Sequence, residues 1–99
     1  MPIDISEYDN LVRDTGGAVI QTGIEPARAI QQVAIGATPN QSAPFNEVTK
    51  LIRVHADVTC RILIGPNPEA SATSPRMPAG ATEYFGVRPG HRLSVIQSA

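Results

Sequence analysis

The second half of the chain, residues 49–97, alternates apolar with polar residues and is interrupted by Pro and Gly where antiparallel strands would turn. Side chains of a β-strand point alternately to the two faces of a sheet, so this alternation predicts half-buried strands. Pro close to Gly, as at 78–80 and 89–90, supplies the preset φ and the positive φ that tight turns need. This half of the chain therefore specifies a compact antiparallel β domain.

Six strands are predicted from the alternation and the turn residues, at 18–22, 29–35, 49–55, 58–64, 81–87 and 92–97. Their spacing is typical of an all-β fold, a small antiparallel β-sandwich or barrel of jelly-roll type. The segment 27–35 also fits a helix with one apolar stripe, but a strand agrees better with its neighbours. Since adjacent strand residues point to opposite faces, we expect Phe85 inside and Tyr84 partly exposed.

The start of the chain differs from this pattern, because residues 1–17 are polar and acidic with scattered apolar positions. We predict an extended or partly helical N-terminal arm over 1–17 and a single β domain over 18–99. A chain of 99 residues has room for one modest core. With 4% aromatic residues and no Trp, that core depends on aliphatic side chains, and oligomerisation would enlarge it.

Two polar and nearly uncharged segments, 37–43 and 66–78, have the composition of loops. Long loops in a small domain are uncommon, and they are often binding elements or tolerated surface insertions. We therefore expect partner contacts to come from these two loops and from the arm.

The charge pattern bears on the class of partner. The formal net charge is −1, and the eight basic residues are dispersed, which argues against a nucleic-acid partner. The amino terminus lacks the basic and apolar regions of a signal peptide. No apolar run approaches the roughly 20 residues that a membrane span needs. We expect neither a nucleic-acid nor a membrane partner, and synthesis in the cytoplasm.

The residues that could carry chemistry are few. Cys60 lies in phase with Ile62 and Ile64, which predicts a small buried side chain, and a single Cys excludes an internal disulfide. His55, Cys60 and His91 are the His and Cys residues of the chain, and they lack close metal-ligand spacing. The sequence contains no Gly-rich phosphate loop and no nucleophile elbow. It predicts no catalytic, metal-binding or cofactor-binding residues, and no enzyme.

The run Tyr-Phe-Gly-Val-Arg-Pro-Gly at 84–90, followed by the apolar strand at 93–96, closes the patterned half of the chain. This ending resembles the Tyr-Phe-x-Val-x-Pro-Gly hairpin and apolar strand of small virion structural proteins of tailed bacteriophages. The resemblance covers roughly residues 42–97, through the runs 51–57, 64–68, 70–72, 76–80, 83–90 and 93–96.

The resemblance implies a non-enzymatic virion protein, a capsid decoration or cement protein that contacts the major capsid protein and is assembled in the host cytoplasm. A homotrimer at local threefold positions would also cover exposed strand edges. One alternative is a tail or head-to-tail junction component. A second is a receptor- or carbohydrate-binding module of a fibre, with Tyr8, Phe45 and Tyr84 as its aromatic residues. A third is a cupin-like metalloenzyme that uses His55 or His91.

Overall fold

The protein is an all-β structure, as the alternation predicts. The computed structural model describes residues 2–13, 19–23 and 26–98. These residues form strands and turns, and no helix long and apolar enough to span a membrane is among them. The strands are β1 (Pro2–Tyr8), β2 (Leu11–Arg13), β3 (Val19–Gly23), β4 (Ala29–Ala34), β5 (Asn40–Gln41), β6 (Leu51–Ala56), β7 (Cys60–Gly65), β8 (Arg76–Met77), β9 (Thr82–Gly86) and β10 (Arg92–Gln97).

Each of the six predicted strands overlaps an observed one, namely β3, β4, β6, β7, β9 and β10. The segment that fits either a helix or a strand is the strand β4, because its backbone pairs with β1 along six residues. In this position Val33 faces the core while the exposed Ile30 lies on the other face. Pairing with a neighbouring strand therefore overrides the helical stripe of this segment.

The predicted N-terminal arm is wrong for residues 2–8, because this segment is the strand β1 inside a four-stranded antiparallel sheet of order β4-β1-β6-β9. It pairs with β4 on one side and with β6 on the other. Ile3 and Ile5 are fully buried. The predicted boundary at residue 17 lies outside the described residues, and the partial helix does not form over 2–8.

A second four-stranded antiparallel sheet has the order β5-β10-β7-β8. The two sheets pack face to face as a small sandwich. The inward-pointing side chains of their strands form one shared core. The strand orders of the two sheets are those of a circularly permuted jelly roll. In this arrangement β1, the first strand of the chain, takes the position of the last jelly-roll strand. Strands β2 and β3 form a separate two-stranded ribbon, and β3 lies against β6.

The core between the sheets is mainly aliphatic, as the scarcity of aromatic residues predicts. Its members come from the inner faces of both sheets and, through Phe45, from the segment before β6; they are Ile3, Ile5, Val33, Phe45, Ile52, Val54, Ala56, Cys60, Ile62, Met77, Leu93 and Val95. Phe85 packs against this cluster, and Tyr84, its neighbour on β9, is 36% exposed. The predicted orientation of this aromatic pair is confirmed.

Candidate functional site

Strand β9 is an edge of the first sheet, and within the described residues it pairs with β6 alone. Four of its five residues are exposed, with Phe85 the half-buried exception. The strand contains neither Pro nor Lys, two residues with which proteins commonly block the pairing of an edge strand. Glu83 is its one charged residue. This edge can therefore accept an additional strand.

The direction of the backbone groups on β9 follows from two hydrogen bonds at its ends. The Val87 N–H donates to the Lys50 carbonyl (3.0 Å), and the Ala81 carbonyl accepts from the Ala56 N–H (3.1 Å). The register between these points is unbroken. Because backbone groups alternate sides along an antiparallel strand, those at 82, 84 and 86 point to the free edge.

The loop predicted at 66–78 is folded onto the outer face of the second sheet. Its Ala70 and Ser74 are buried, and the Ala70 N–H donates to Ser94 Oγ (2.9 Å). From the sheet, Arg61 Nη1 donates to the Ser74 carbonyl (2.9 Å). The last part of the predicted loop is the short strand β8. This loop is a fixed cover on the sheet, so any contact it makes uses its outward surface.

Two clefts flank this loop on the second sheet. One, of about 260 Å³, is lined by Pro39, Gln41, Asn67, Pro68 and Glu69. The other, of about 310 Å³, is lined by Arg61, Ala72, Ile96, Gln97 and Ser98. The second predicted loop, 37–43, contributes to the first cleft through β5, where Gln41 Nε2 donates to the Pro68 carbonyl (2.6 Å).

A buried carboxylate holds the segment before β6 in place. Glu7 is 3% exposed, and its Oε1 accepts from Thr49 Oγ1 (2.8 Å) and from the Asn46 N–H (2.9 Å). Gln31 Nε2 donates to the other oxygen, Oε2 (3.3 Å). These donors satisfy the carboxylate inside the protein, as a buried charge requires. Glu7 therefore has a structural role, which the sequence pattern does not reveal.

The His and Cys residues lie apart. His55 is on the outer face of the first sheet, with Nδ1 2.8 Å from Thr82 Oγ1 and Nε2 4.0 Å from Asp57 Oδ1. Cys60 is in the core, where burial raises the pKa of its thiol, and its predicted role as a buried small side chain is confirmed. His91 lies in the turn before β10. Among the described residues no group of three or more His, Cys, Asp or Glu side chains could hold a metal ion.

The aromatic residues offer little to a sugar. Tyr8 and Phe45 are 4% and 2% exposed, so neither ring presents a stacking face to a ligand. Phe85 packs against the core, which leaves Tyr84 as the exposed ring. Neither of the two clefts described above has an aromatic residue in its lining. A carbohydrate-binding cleft with several stacking rings has no counterpart in these residues.

The run 84–90, which is part of the predicted resemblance, forms the last three residues of β9 and the turn to β10. Gly90 has φ of 77° in this turn, a conformation that L side chains rarely adopt. Comparisons of the chain with protein family models, curated proteins and solved structures found no match. The free edge of β9 and the adjoining turn thus form the candidate contact site.

Proposed function

We propose that the protein is a non-enzymatic structural protein of a tailed-phage virion, a decoration or cement protein that stabilises the head by binding the major capsid protein. The observation that carries this proposal is the outer edge of β9, with which none of the described residues pairs. The exposed edge and the turn after it contain the run 83–90, one of six runs between 42 and 97 that resemble virion structural proteins. A binding element and part of the family resemblance therefore lie in one segment.

Binding would occur by strand addition, in which an extended segment of the capsid protein pairs with β9. The N–H and C=O groups at 82, 84 and 86 point outward and supply the main-chain hydrogen bonds. Each such bond contributes about 1 kcal/mol net, so one short edge gives a weak individual contact. Repetition over a symmetric shell, and a homotrimer that presents several edges at once, convert weak contacts into stable attachment.

Proline substitution on β9 tests strand addition directly. Tyr84→Pro removes an outward-pointing N–H while the hydrogen bonds to β6 remain, since those use the residues on either side. Tyr84→Ala is the matched control, because it removes the same ring and keeps the N–H. In co-sedimentation with heads that lack the protein, we expect Tyr84→Pro to reduce attachment by about tenfold relative to Tyr84→Ala.

Equal attachment of the two variants, with both folded by circular dichroism, would refute attachment through this edge. The location is tested separately by imaging the particle. A decoration protein should occur on the shell in hundreds of copies, whereas a tail or head-to-tail junction component should occur in a few to a few dozen. Absence from purified particles would refute the virion role.

A further inference from the structure

The two sheets differ in charge. The strands of the second sheet contain three Arg residues and no acidic residue: Arg61, Arg76 and Arg92. The strands of the first sheet contain three acidic residues and a single Arg: Asp4, Glu7, Glu83 and Arg53. In a chain whose net charge is −1, the strands of the second sheet therefore carry a net positive charge.

Two of these Arg residues lie directly opposite each other. Arg61 on β7 is the register partner of Arg76 on β8. The neighbouring pair, Cys60 and Met77, is fully buried in the core, so the two guanidinium groups extend from the outer face. Side chains in such pairs begin about 4.5 to 5.5 Å apart, and like charges placed there are destabilising.

Among the described residues neither Arg forms a salt bridge with a carboxylate, since the salt bridge found there joins His55 and Asp57. The guanidinium of Arg61 is nevertheless oriented, because its Nη1 donates to the Ser74 carbonyl. Of its five N–H donors, one makes this bond, and it is the single hydrogen bond of this side chain to the described residues. A fixed guanidinium opposite a second, exposed one is an arrangement that suits an anion.

The cleft beside the pair indicates the kind of anion. Ile96 is the register partner of Arg61 on its other side, and both line the cleft of about 310 Å³. Ala72, from the covering loop, lines it as well. These apolar side chains can contact a methylene stem while the guanidinium binds a charged end. A Glu or Asp side chain has this combination, and a phosphate ion does not.

We propose that Arg61 and Arg76 bind a carboxylate on an acidic segment of a partner protein. The planar guanidinium can pair with a carboxylate through two parallel hydrogen bonds. Nucleic acid is less suited, because strong binding to its backbone requires many phosphate contacts along a continuous basic surface. This site is separate from the edge of β9, and the inference holds whichever protein supplies the acidic segment.

The test measures binding of a fluorescently labelled peptide that contains several Glu residues, and of its counterpart with Gln at those positions. We expect the wild-type protein to bind the Glu peptide and to bind the Gln peptide at least tenfold more weakly. Arg76→Gln should weaken binding of the Glu peptide by about tenfold. Arg28→Gln, an equal change of charge just before β4 of the first sheet, should leave binding unchanged.

Thermal unfolding without peptide distinguishes a binding role from a structural one. Because Arg76→Gln removes a like-charge opposition, the variant should unfold at the same temperature as the wild type or higher. Tyr84→Pro should retain peptide binding, so failure of this site and failure of edge binding are separable. The proposal is overturned if Arg76→Gln binds as well as wild type, if the Gln peptide binds equally, or if a single-stranded oligonucleotide binds more tightly than the Glu peptide.

Discussion

Strands β1 and β9 lie on either side of β6, and the shared neighbour leaves them in opposite environments. β1 is paired along both edges and its inward Ile side chains are fully buried. Within the part of the chain that the structure describes, β9 is paired along one edge, and four of its five residues are exposed. The comparison teaches that position within the sheet decides which strand supports the fold and which strand is free to bind.

Removal of the segment 1–8 should have the largest effect. Without β1, strands β4 and β6 lose their common neighbour, and the core loses Ile3 and Ile5. We expect the truncated chain to lack a cooperative thermal transition by circular dichroism. As a control at the edge strand β9, a variant with Thr82→Ser, Glu83→Gln and Tyr84→Thr should unfold cooperatively near the wild-type temperature. A folded truncated chain would show that β1 is dispensable.

Two Tyr residues allow the same comparison at a single side chain. Tyr8, at the end of β1, is 4% exposed, whereas Tyr84 on β9 is 36% exposed. Tyr8→Ala should lower the free energy of unfolding by about 3 kcal/mol, and Tyr84→Ala by less than about 1 kcal/mol. Urea denaturation measures both. Equal losses for the two variants would contradict the assigned difference between centre and edge.

Two Glu residues sharpen the comparison for charged groups. Glu7→Gln replaces an acceptor oxygen of the buried carboxylate with an amide group, so a donor among Thr49, Asn46 and Gln31 loses its partner. We expect a loss of about 2 kcal/mol in the free energy of unfolding. Glu83→Gln, the same change on the exposed strand, should leave stability unchanged within error. A neutral Glu7→Gln variant would mean that the network does not support the fold.

The smallest expected effect is the contribution of the Cys60 thiol to the pH dependence of stability. Burial raises the pKa of Cys60 above its ordinary value of 9.0, so above pH 9.0 the unfolded chain ionises this thiol while the folded protein keeps it protonated. The unfolded state is thereby favoured, and stability should fall more steeply with rising pH in the wild type than in Cys60→Ala.

The labelling rate of the thiol tests the same contrast between core and edge. Cys60 should react with a thiol reagent only through unfolding, whereas Tyr84→Cys in a Cys60→Ala background should react at once. Two outcomes would contradict the buried position of the thiol. One is an equal fall of stability with rising pH in the wild type and in Cys60→Ala, and the other is rapid labelling of Cys60 in the folded protein.

The six strands that the sequence predicts share strong alternation or β-branched composition and clear turn residues, and these are local properties of the chain. Strand β1 was missed because its third inward position is Glu7, which breaks the apolar alternation of Ile3 and Ile5. The carboxylate is tolerated there only because distant residues donate to it. Strands β5 and β8 contain two residues each, too few for a periodic signal.

The candidate sites were less predictable than the fold. The sequence places Tyr84 on an exposed face, but whether β9 is central or at an edge depends on which strands pair with β6. Likewise Arg61 and Arg76 are ordinary dispersed residues in the chain, and only the register of β7 with β8 makes them opposite. The loop 66–78 has the composition of a free contact element, yet its contacts with Ser94 and Arg61 hold it on the sheet.

Side-chain alternation and turn chemistry act over a few residues, and for that reason the sequence alone established the all-β class, the aliphatic core and the inward position of Cys60. Strand order and register join residues far apart in the chain, such as β1 with β6, and no local pattern encodes them. Tertiary structure therefore decided that segment 2–8 is an inner strand of a sheet, that β9 pairs with β6 alone among the described residues, and that two Arg residues face each other. Strand order and register are fixed by hydrogen bonds between distant strands and by burial in the shared core, and for that reason they could not be predicted from local sequence.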